Sequence, residues 1–309
     1  MKSAVLFLVF NRPDTTQIVF DTISRARPSR LYIAADGPRL NYPNDNKLCE
    51  KTRAIVDQIN WDCDVKTLLR KTNLGCQVAV SSAINWFFEN EDEGIILEDD
   101  VVPSPEFFEF CDTMLERYRH QMQVGMISGF NPLGAEKKSS HYFYSNYASI
   151  WGWATWRSRW KLYDVNLSNW TIKGYKKFMC GKLPAHVLEY FIDAYEKVHR
   201  KQINTWDYQW SYAMQSNKLL VIRPEANLIS NIGIIGTHSN TQDMNHNIPY
   251  GFVDINSLSG PSNLLSNPKY DLDFYHYAFS KEKYQLFLRS FARKLLLLDL
   301  IRNFFKKDD

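Results

Sequence analysis

Glu98, Asp99 and Asp100 stand in a row at the end of the apolar run Gly94-Ile-Ile-Leu97, and Pro103 and Pro105 halt the chain just beyond them. The apolar run reads as a short buried strand, so three adjacent carboxylates emerge where that strand leaves its sheet. Without a compensating cation they repel one another. In open α/β sheets the carboxyl edge is also where ligands bind. A hard divalent cation, Mg²⁺ or Mn²⁺, answers both points, because such ions take oxygen ligands and accept substrate phosphates into their shell. A solvated acidic turn is the plainer alternative, and only the surroundings separate the two.

Those surroundings alternate between strand and helix through the first 130 residues. Ala4–Phe10 reads as a strand and Pro13–Ser24 as a helix with Pro13 in its first turn. Leu31–Ala35 is a strand that ends on the turn Asp36-Gly37-Pro38. Asn46–Asn60 is helical, Val65–Leu69 a strand and Gln77–Asn90 a helix. After the acidic strand comes a helix over Pro105–Arg119, with Phe107, Phe108, Cys111, Met114, Leu115 and Tyr118 on one face, and then a strand over Val124–Ser128. This alternation implies a mostly parallel sheet flanked by helices. Beyond Phe130 the pattern loosens. Tyr142–Trp170 is dense in aromatic rings, Tyr190–Arg200 and Thr205–Ser216 read as helices, and Leu219–Arg223 reads as a strand. Asn227–Pro268 is rich in Asn, Ser, Gly and Pro, as functional loops are.

The composition is that of a globular chain of 309 residues with 45% hydrophobic and 23% charged residues. The five cysteines form no CxxC pair, which points to reduced thiols and a cytoplasmic setting. No apolar run approaches the roughly 18 residues that span a bilayer. The net charge of +3 is unevenly spread. Lys281–Asp309 carries eight Lys/Arg against four Asp/Glu, which leaves the rest of the chain slightly acidic and argues against nucleic-acid binding. Within that tail Tyr284, Phe287, Leu288, Phe291, Leu295, Leu298, Ile301 and Phe305 fall on one helical stripe flanked by basic residues. A basic amphipathic helix of this kind suits an anionic membrane surface, and a terminal helix docked on the domain is the alternative.

The acidic triplet followed by Pro and a Phe-rich helix, Leu97-Glu-Asp-Asp-Val-Val-Pro-Ser-Pro-Glu-Phe-Phe-Glu-Phe110, resembles the signature of GT-A-type nucleotide-sugar glycosyltransferases, most of all the N-acetylglucosaminyltransferase I type. Blocks similar to that family run in order from the N-terminus to about His238. The resemblance implies an α/β fold of GT-A (Rossmann-like) type, a mostly parallel sheet flanked by helices, with a C-terminal amphipathic helix appended. Residues 1–130 would be its nucleotide-sugar-binding half, residues 131–270 the acceptor-binding and catalytic half of the same domain, and residues 271–309 the basic tail. It also implies roles. Arg12 and Asp36 match residues that hold the nucleotide base, and an aspartate at a strand end suits the uracil N3–H. Asp36 equally suits a simple turn before Gly37. Asp99 matches the carboxylate that binds the ribose, Glu98 one that reaches the donor sugar, and Asp100 the metal ligand.

Trp206-Asp207-Tyr208-Gln209-Trp210 resembles the family's Trp-Asp-Asp-Trp stretch, which makes Asp207 the candidate general base. The second aspartate of that stretch is Tyr208 here, and Asp207 also suits a helix cap. Gly236-Thr237-His238-Ser239 resembles the closing segment, with His238 over the donor diphosphate. Trp151-Gly152-Trp153 resembles a segment beneath the sugars, with Trp153 stacked on a ring, whereas Trp156 and Trp160 suit a core. The implied activity is inverting, divalent-metal-dependent transfer from a UDP-sugar, by resemblance UDP-GlcNAc, to a saccharide or lipid-linked acceptor. The setting would be surface-polysaccharide or lipopolysaccharide synthesis on the cytoplasmic face of the cell membrane. Two rivals remain at this stage. A sugar-phosphate nucleotidyltransferase would also use acidic metal ligands, but Asn11-Arg12-Pro13-Asp14 has no glycine-rich loop. A non-catalytic carbohydrate-binding protein would have no use for the triplet or Asp207.

Overall fold

The computed structural model describes residues 1–134, 141–179, 181–233 and 248–279. The first half unfolds in order as β1 (Ala4–Val9), α1 (Pro13–Ala26), β2 (Arg30–Ala35), α2 (Asp45–Arg53), β3 (Asp64–Leu69), α3 (Gly75–Asn90) and β4 (Glu93–Glu98). Then come β5 (Val101–Pro103), α4 (Pro105–Tyr118) and β6 (Val124–Ser128). The second half supplies β7 (Tyr142–Ser145), β8 (Trp153–Trp156), α5 (Arg157–Trp160), α6 (Ile172–Met179) and α7 (Ala185–His199). It ends with α8 (Asp207–Ser216), β9 (Leu220–Pro224), β10 (Ile229–Asn231) and α9 (Pro268–Phe279).

Every residue of β1 is buried, which is what a strand covered on both faces requires of its sequence. Alternate side chains serve opposite layers. Val5, Phe7 and Val9 pack with α1 and with Phe107, Phe108, Cys111, Met114 and Leu115 of α4. Ala4, Leu6 and Leu8 pack with Ala83, Ile84 and Phe87 of α3 and with Trp210 and Met214 of α8. The sheet between these layers has eight strands in the order β3-β2-β1-β4-β8-β6-β9-β7. Strands β3, β2, β1 and β4 are parallel; β8 runs against both β4 and β6, β9 follows β6, and β7 reverses at the edge. Six of the eight strands therefore point one way. This is the mostly parallel, helix-flanked α/β sheet that the first half of the sequence implies.

The registers fix where the chemistry lies. Leu8 pairs with Glu98 and Val9 with Ala35, so the chain leaves β1, β2 and β4 on the same edge and delivers Arg12, Asp36 and the acidic triplet there. A second, two-stranded sheet of β5 and β10 braces the chain just past the triplet, with Val101 opposite Asn231.

Where sequence and structure differ, tertiary packing decides. The helix expected to reach Asn60 stops at Arg53 and tightens to a 3₁₀ turn over Ala54–Gln58. That exit lets Trp61 pack against Phe20 and donate its indole N–H to the Pro28 carbonyl. Helix α7 begins at Ala185, ahead of Tyr190, and α6 and α9 join it around a third aromatic cluster. The body reaches at least to Phe279, because Asp271 of α9 accepts from Ser145 Oγ at 2.6 Å and from the Asn146 side chain. The fully buried Arg223 donates to the Phe130 and Tyr147 carbonyls with its guanidinium over the Phe274 ring, tying β9, two turns and α9 together. Among the described residues no helix is long and apolar enough to cross a membrane. The basic stripe of 281–309 lies outside the described residues.

The loop from β2 to α2 is clamped by one buried carboxylate. Asp45 accepts from Arg39 Nε at 2.7 Å, from the Arg39 backbone amide and from Asn11 Nδ2 at 2.8 Å. Hydrogen bonds from Arg39 lead in pulling the Asp45 pKa down to about 2, against the opposing cost of burial. A depressed folded-state pKa stabilises above the unfolded value and is lost as pH falls through the folded one. Asp45→Asn should therefore cost about 2 kcal/mol at neutral pH. In paired thermal melts, the gap between variant and wild type should shrink as the pH drops from about 4 toward 2.

Candidate active site

Strand β4 ends at Glu98, and Asp99 and Asp100 form the tight turn into β5. Facing them from the end of β1 is Arg12. Its Nη1 lies 2.8 Å from Asp100 Oδ2, and its Nη2 is hydrogen-bonded to Asp99 Oδ1. The carboxylates are the enclosed partners: side-chain exposure is 4% for Asp99 and 15% for Asp100, against 32% for Arg12. Burial alone would weaken the Arg12 cation, yet Asp99 and Asp100 outweigh it and hold the guanidinium charged. Burial raises the pKa of Glu98 strongly, and Asp100 and Asp99 add to the rise. Burial also raises Asp99, while Arg12 opposes.

The counter-charge that a bare carboxylate triplet demands is thus partly met inside the protein, which amends the expectation drawn from sequence. It is met only partly. Three carboxylates against one guanidinium leave two formal negative charges when all are ionised, and Glu98 Oε1 and Asp99 Oδ2 are buried with no hydrogen-bond partner. Orphaned buried oxygens beside excess negative charge fit a cation. Among the described residues no group of three or more His, Cys, Asp or Glu side chains forms a metal-binding set by itself. A divalent ion here would therefore draw most of its oxygen ligands from a bound substrate or water, as phosphate-binding Mg²⁺ and Mn²⁺ sites do.

The back of Asp100 is shaped by β10. The Ile232 amide donates to the Asp100 carbonyl at 2.9 Å, and Gly233 follows with its amide on Asn231 Oδ1. A Cβ on Gly233 would lie 2.3 Å from Asp100 Oδ2, so a side chain here would require the Asp100 carboxylate or this segment to shift.

Asp207 opens α8 at its first helical position, one past Trp206, where a carboxylate also suits the positive end of the helix. The Thr205 hydroxyl donates to Asp207 Oδ1. Just before it, Asn204 Oδ1 accepts from the Gln77 amide at 2.7 Å in the first turn of α3, which places the start of α8 on the carboxyl edge with the triplet. Tyr208, at the position of the family's second aspartate, packs with the third aromatic cluster and hydrogen-bonds Tyr190. Asp36 holds a turn: it accepts from the Gly37 and Leu74 amides and from Asn73 Nδ2 at 2.9 Å, and burial leads in raising its pKa.

Trp153 requires a correction. It is wholly buried on β8, packed against Trp160, Trp206 and Trp210, and has no open face for a sugar ring. The strand between β4 and β6 is covered on both faces, which a run of tryptophans satisfies as well as it satisfies a sugar platform. Trp156 and Trp160 are core residues, as their alternative reading held. His238 lies outside the described residues.

Two site residues escaped the sequence. Cys76, on the first turn of α3, has its thiol pKa pushed up to about 12 by burial and then by Glu98 and Asp207. Gly233 sits behind Asp100. Glycine just before an apolar helix was the available signal for the first; nothing local marked the second.

No family model matches the sequence, and no curated protein matches it. Among solved structures, TarS residues 1–349 of S. aureus aligns over 72% of this chain and 60% of its own, at 7% identity and a TM-score of 0.38. HddC from Yersinia pseudotuberculosis aligns over 50% of this chain and 77% of its own, at 9% identity and 0.33. A UDP-glucose pyrophosphorylase complexed with UDP-glucose aligns over 73% and 90%, at 10% identity and 0.37. The chain spans under two thirds of the TarS chain it matches. At TM-scores this low no functional conclusion follows, and the site's own residues must supply it.

Gly233→Ala should push the Asp100 carboxylate out of its place at a cost of about 1–3 kcal/mol, the usual range for overpacking. A crystal structure and melt of the variant check this; an unmoved Asp100 would mean that the β10 segment yields instead.

Proposed function

We propose that the protein is an inverting, divalent-metal-dependent glycosyltransferase that moves a sugar from a UDP-sugar to a saccharide or lipid-linked acceptor. The observation that carries this reading is the carboxyl-edge cluster itself: a largely enclosed, under-neutralised acidic triplet with Arg12 across from it and a further carboxylate, Asp207, on the same edge.

Asp100 would hold Mn²⁺ or Mg²⁺, whose contribution when bound is Lewis-acid neutralisation of charge on the departing diphosphate. Asp99 would accept hydrogen bonds from the ribose hydroxyls and Glu98 would reach the donor sugar. Asp36 would meet the uracil N3–H with acceptor capacity left by its intramolecular donors, since an ionised carboxylate offers about four lone-pair sites. Asp207 would take the proton from the acceptor hydroxyl as that oxygen attacks the anomeric carbon from the face opposite the leaving group. One displacement of this kind inverts the anomeric centre. UDP-GlcNAc is the favoured donor by family resemblance. His238 would close over the diphosphate, and the basic stripe of 281–309 would hold the enzyme at an anionic membrane surface on the cytoplasmic side, near a lipid-linked acceptor for surface-glycan synthesis.

The direct test is release of UDP from a panel of nucleotide sugars with Mn²⁺. One sugar should be preferred, EDTA should stop the reaction until Mn²⁺ is restored, and Asp100→Ala should abolish it. Asp207→Asn should keep UDP binding while losing roughly 10²–10⁴-fold in kcat, the usual worth of a positioned base. Pyrophosphate-dependent NTP formation in place of UDP release would instead establish a nucleotidyltransferase, and sugar binding with no turnover would establish a carbohydrate-binding protein.

A further inference from the structure

We propose that Arg12 is an exchangeable internal counter-ion: its guanidinium bridges Asp99 and Asp100 while no divalent cation is bound, and leaves Asp100 for the donor diphosphate when one loads. This deepens the proposed function and rests on it at one point, that Asp100 ligates the cation.

Four features of the geometry point to exchange. Arg12 engages Asp100 Oδ2 at 2.8 Å, so a cation ligated by that oxygen and the ion pair compete for one atom. The guanidinium spends one nitrogen on each of two carboxylates and does not grip either one with both, forgoing the paired geometry that makes Arg–carboxylate bonds strongest. Arg12 is the solvent-accessible partner, 32% exposed against 4% and 15%, so it can swing away without opening the core. Finally, Glu98 Oε1 and Asp99 Oδ2 stay unpartnered, so the guanidinium does not saturate the cluster.

A divalent ion at Asp100 and a guanidinium on the same carboxylate repel each other. The freed guanidinium needs an anion, and a nucleoside diphosphate on this edge supplies one in the planar-fork geometry that arginine prefers. Cation and nucleotide therefore load cooperatively. Bare cation must displace Arg12 and leave it unpaired, whereas cation with UDP gives Arg12 a new partner. Coupling of this kind typically spans about 5–150-fold in affinity. Arg12 acts here as a positioning residue, through Asp100 and the diphosphate.

The experiment is calorimetric titration of the full chain with Mn²⁺, with and without UDP, for the wild type, Arg12→Lys and Arg12→Met. Without UDP, Arg12→Met should bind Mn²⁺ at least about 5-fold tighter than wild type, and the gain in Mn²⁺ affinity on adding UDP should shrink by a similar factor. Arg12→Lys should fall between. On the wild type itself, the Arg12 Nε–Hε NMR signal, identified by its loss in Arg12→Lys, should shift as diamagnetic Mg²⁺ is added with UDP. Unchanged or weaker Mn²⁺ binding in Arg12→Met, with normal binding in wild type, overturns the exchange and leaves the glycosyltransferase reading standing. If Arg12→Met does not fold, an NMR signal unmoved at Mg²⁺ saturation overturns it instead. Wild type that binds UDP but never Mn²⁺ removes the metal from the proposed function, and the exchange with it.

Discussion

The structure turns on the ion pair between Arg12 and the Asp99–Asp100 turn. Closing three carboxylates into the carboxyl edge of a sheet whose central strand β1 is wholly buried takes them largely out of water, and an effective desolvation cost of up to several kcal/mol attends each charge so enclosed. One guanidinium, delivered from the neighbouring strand by the β1–β4 register, offsets part of that cost. The remainder persists as two oxygens without partners and as a Glu98 whose proton is held well above the usual carboxylate range. A fold optimised for stability alone would replace such a cluster with apolar side chains. Its presence where parallel strands end is a statement about ligands.

The second half of the chain exists in large part to make that edge rigid. Strand β8 inserts antiparallel between β4 and β6, so the triplet-bearing strand is a central strand of the sheet. Trp153 of β8 and Trp210 of α8, with Trp160 and Trp206, fill the layer on one face of it, and α8 carries Asp207 at its first residue. The triplet and Asp207, the base of the proposed reaction, are thereby mounted on elements that share one aromatic core. Buried Arg159 and Arg223 serve the same purpose elsewhere. Each satisfies backbone carbonyls that turns would otherwise leave bare, Arg159 those of Val124, Tyr118 and Gln121, and Arg223 those of Phe130 and Tyr147.

What was legible in the sequence follows from the range of the interaction. The parallel half was readable because β1, β2 and β4 are nearly continuous apolar runs between helices with clear 3.6-residue periodicity, and all six residues expected on the α4 face are buried, with Phe110 beside them. The triplet was readable because its members are adjacent. Its partner was not, since Arg12 and Asp100 lie 88 residues apart and meet only through strand pairing. Strands β7 and β8 were hidden because aromatic residues covered on both sides show no alternation, and for the same reason Trp153 looked like a sugar platform when it is core. Asp36 shows the converse: its turn chemistry was visible locally, and the structure engages both of its oxygens with that turn.

The position of Gly233 carries the reasoning one step further. A side chain there would force a shift, because the chain after β10 passes within a Cβ's reach of Asp100 Oδ2. Strand β10 is itself pinned to β5, the strand into which the triplet turn leads. The second sheet therefore couples two things that sequence separates by more than 130 residues: the carboxylate turn and the start of the segment that holds His238. The backbone of Asp100 is tied to this sheet as well, because the Ile232 amide donates to its carbonyl two residues after Ser230 pairs with Val102. One carboxylate oxygen, Asp100 Oδ2, is thus where the ion pair from β1 and the glycine after β10 meet.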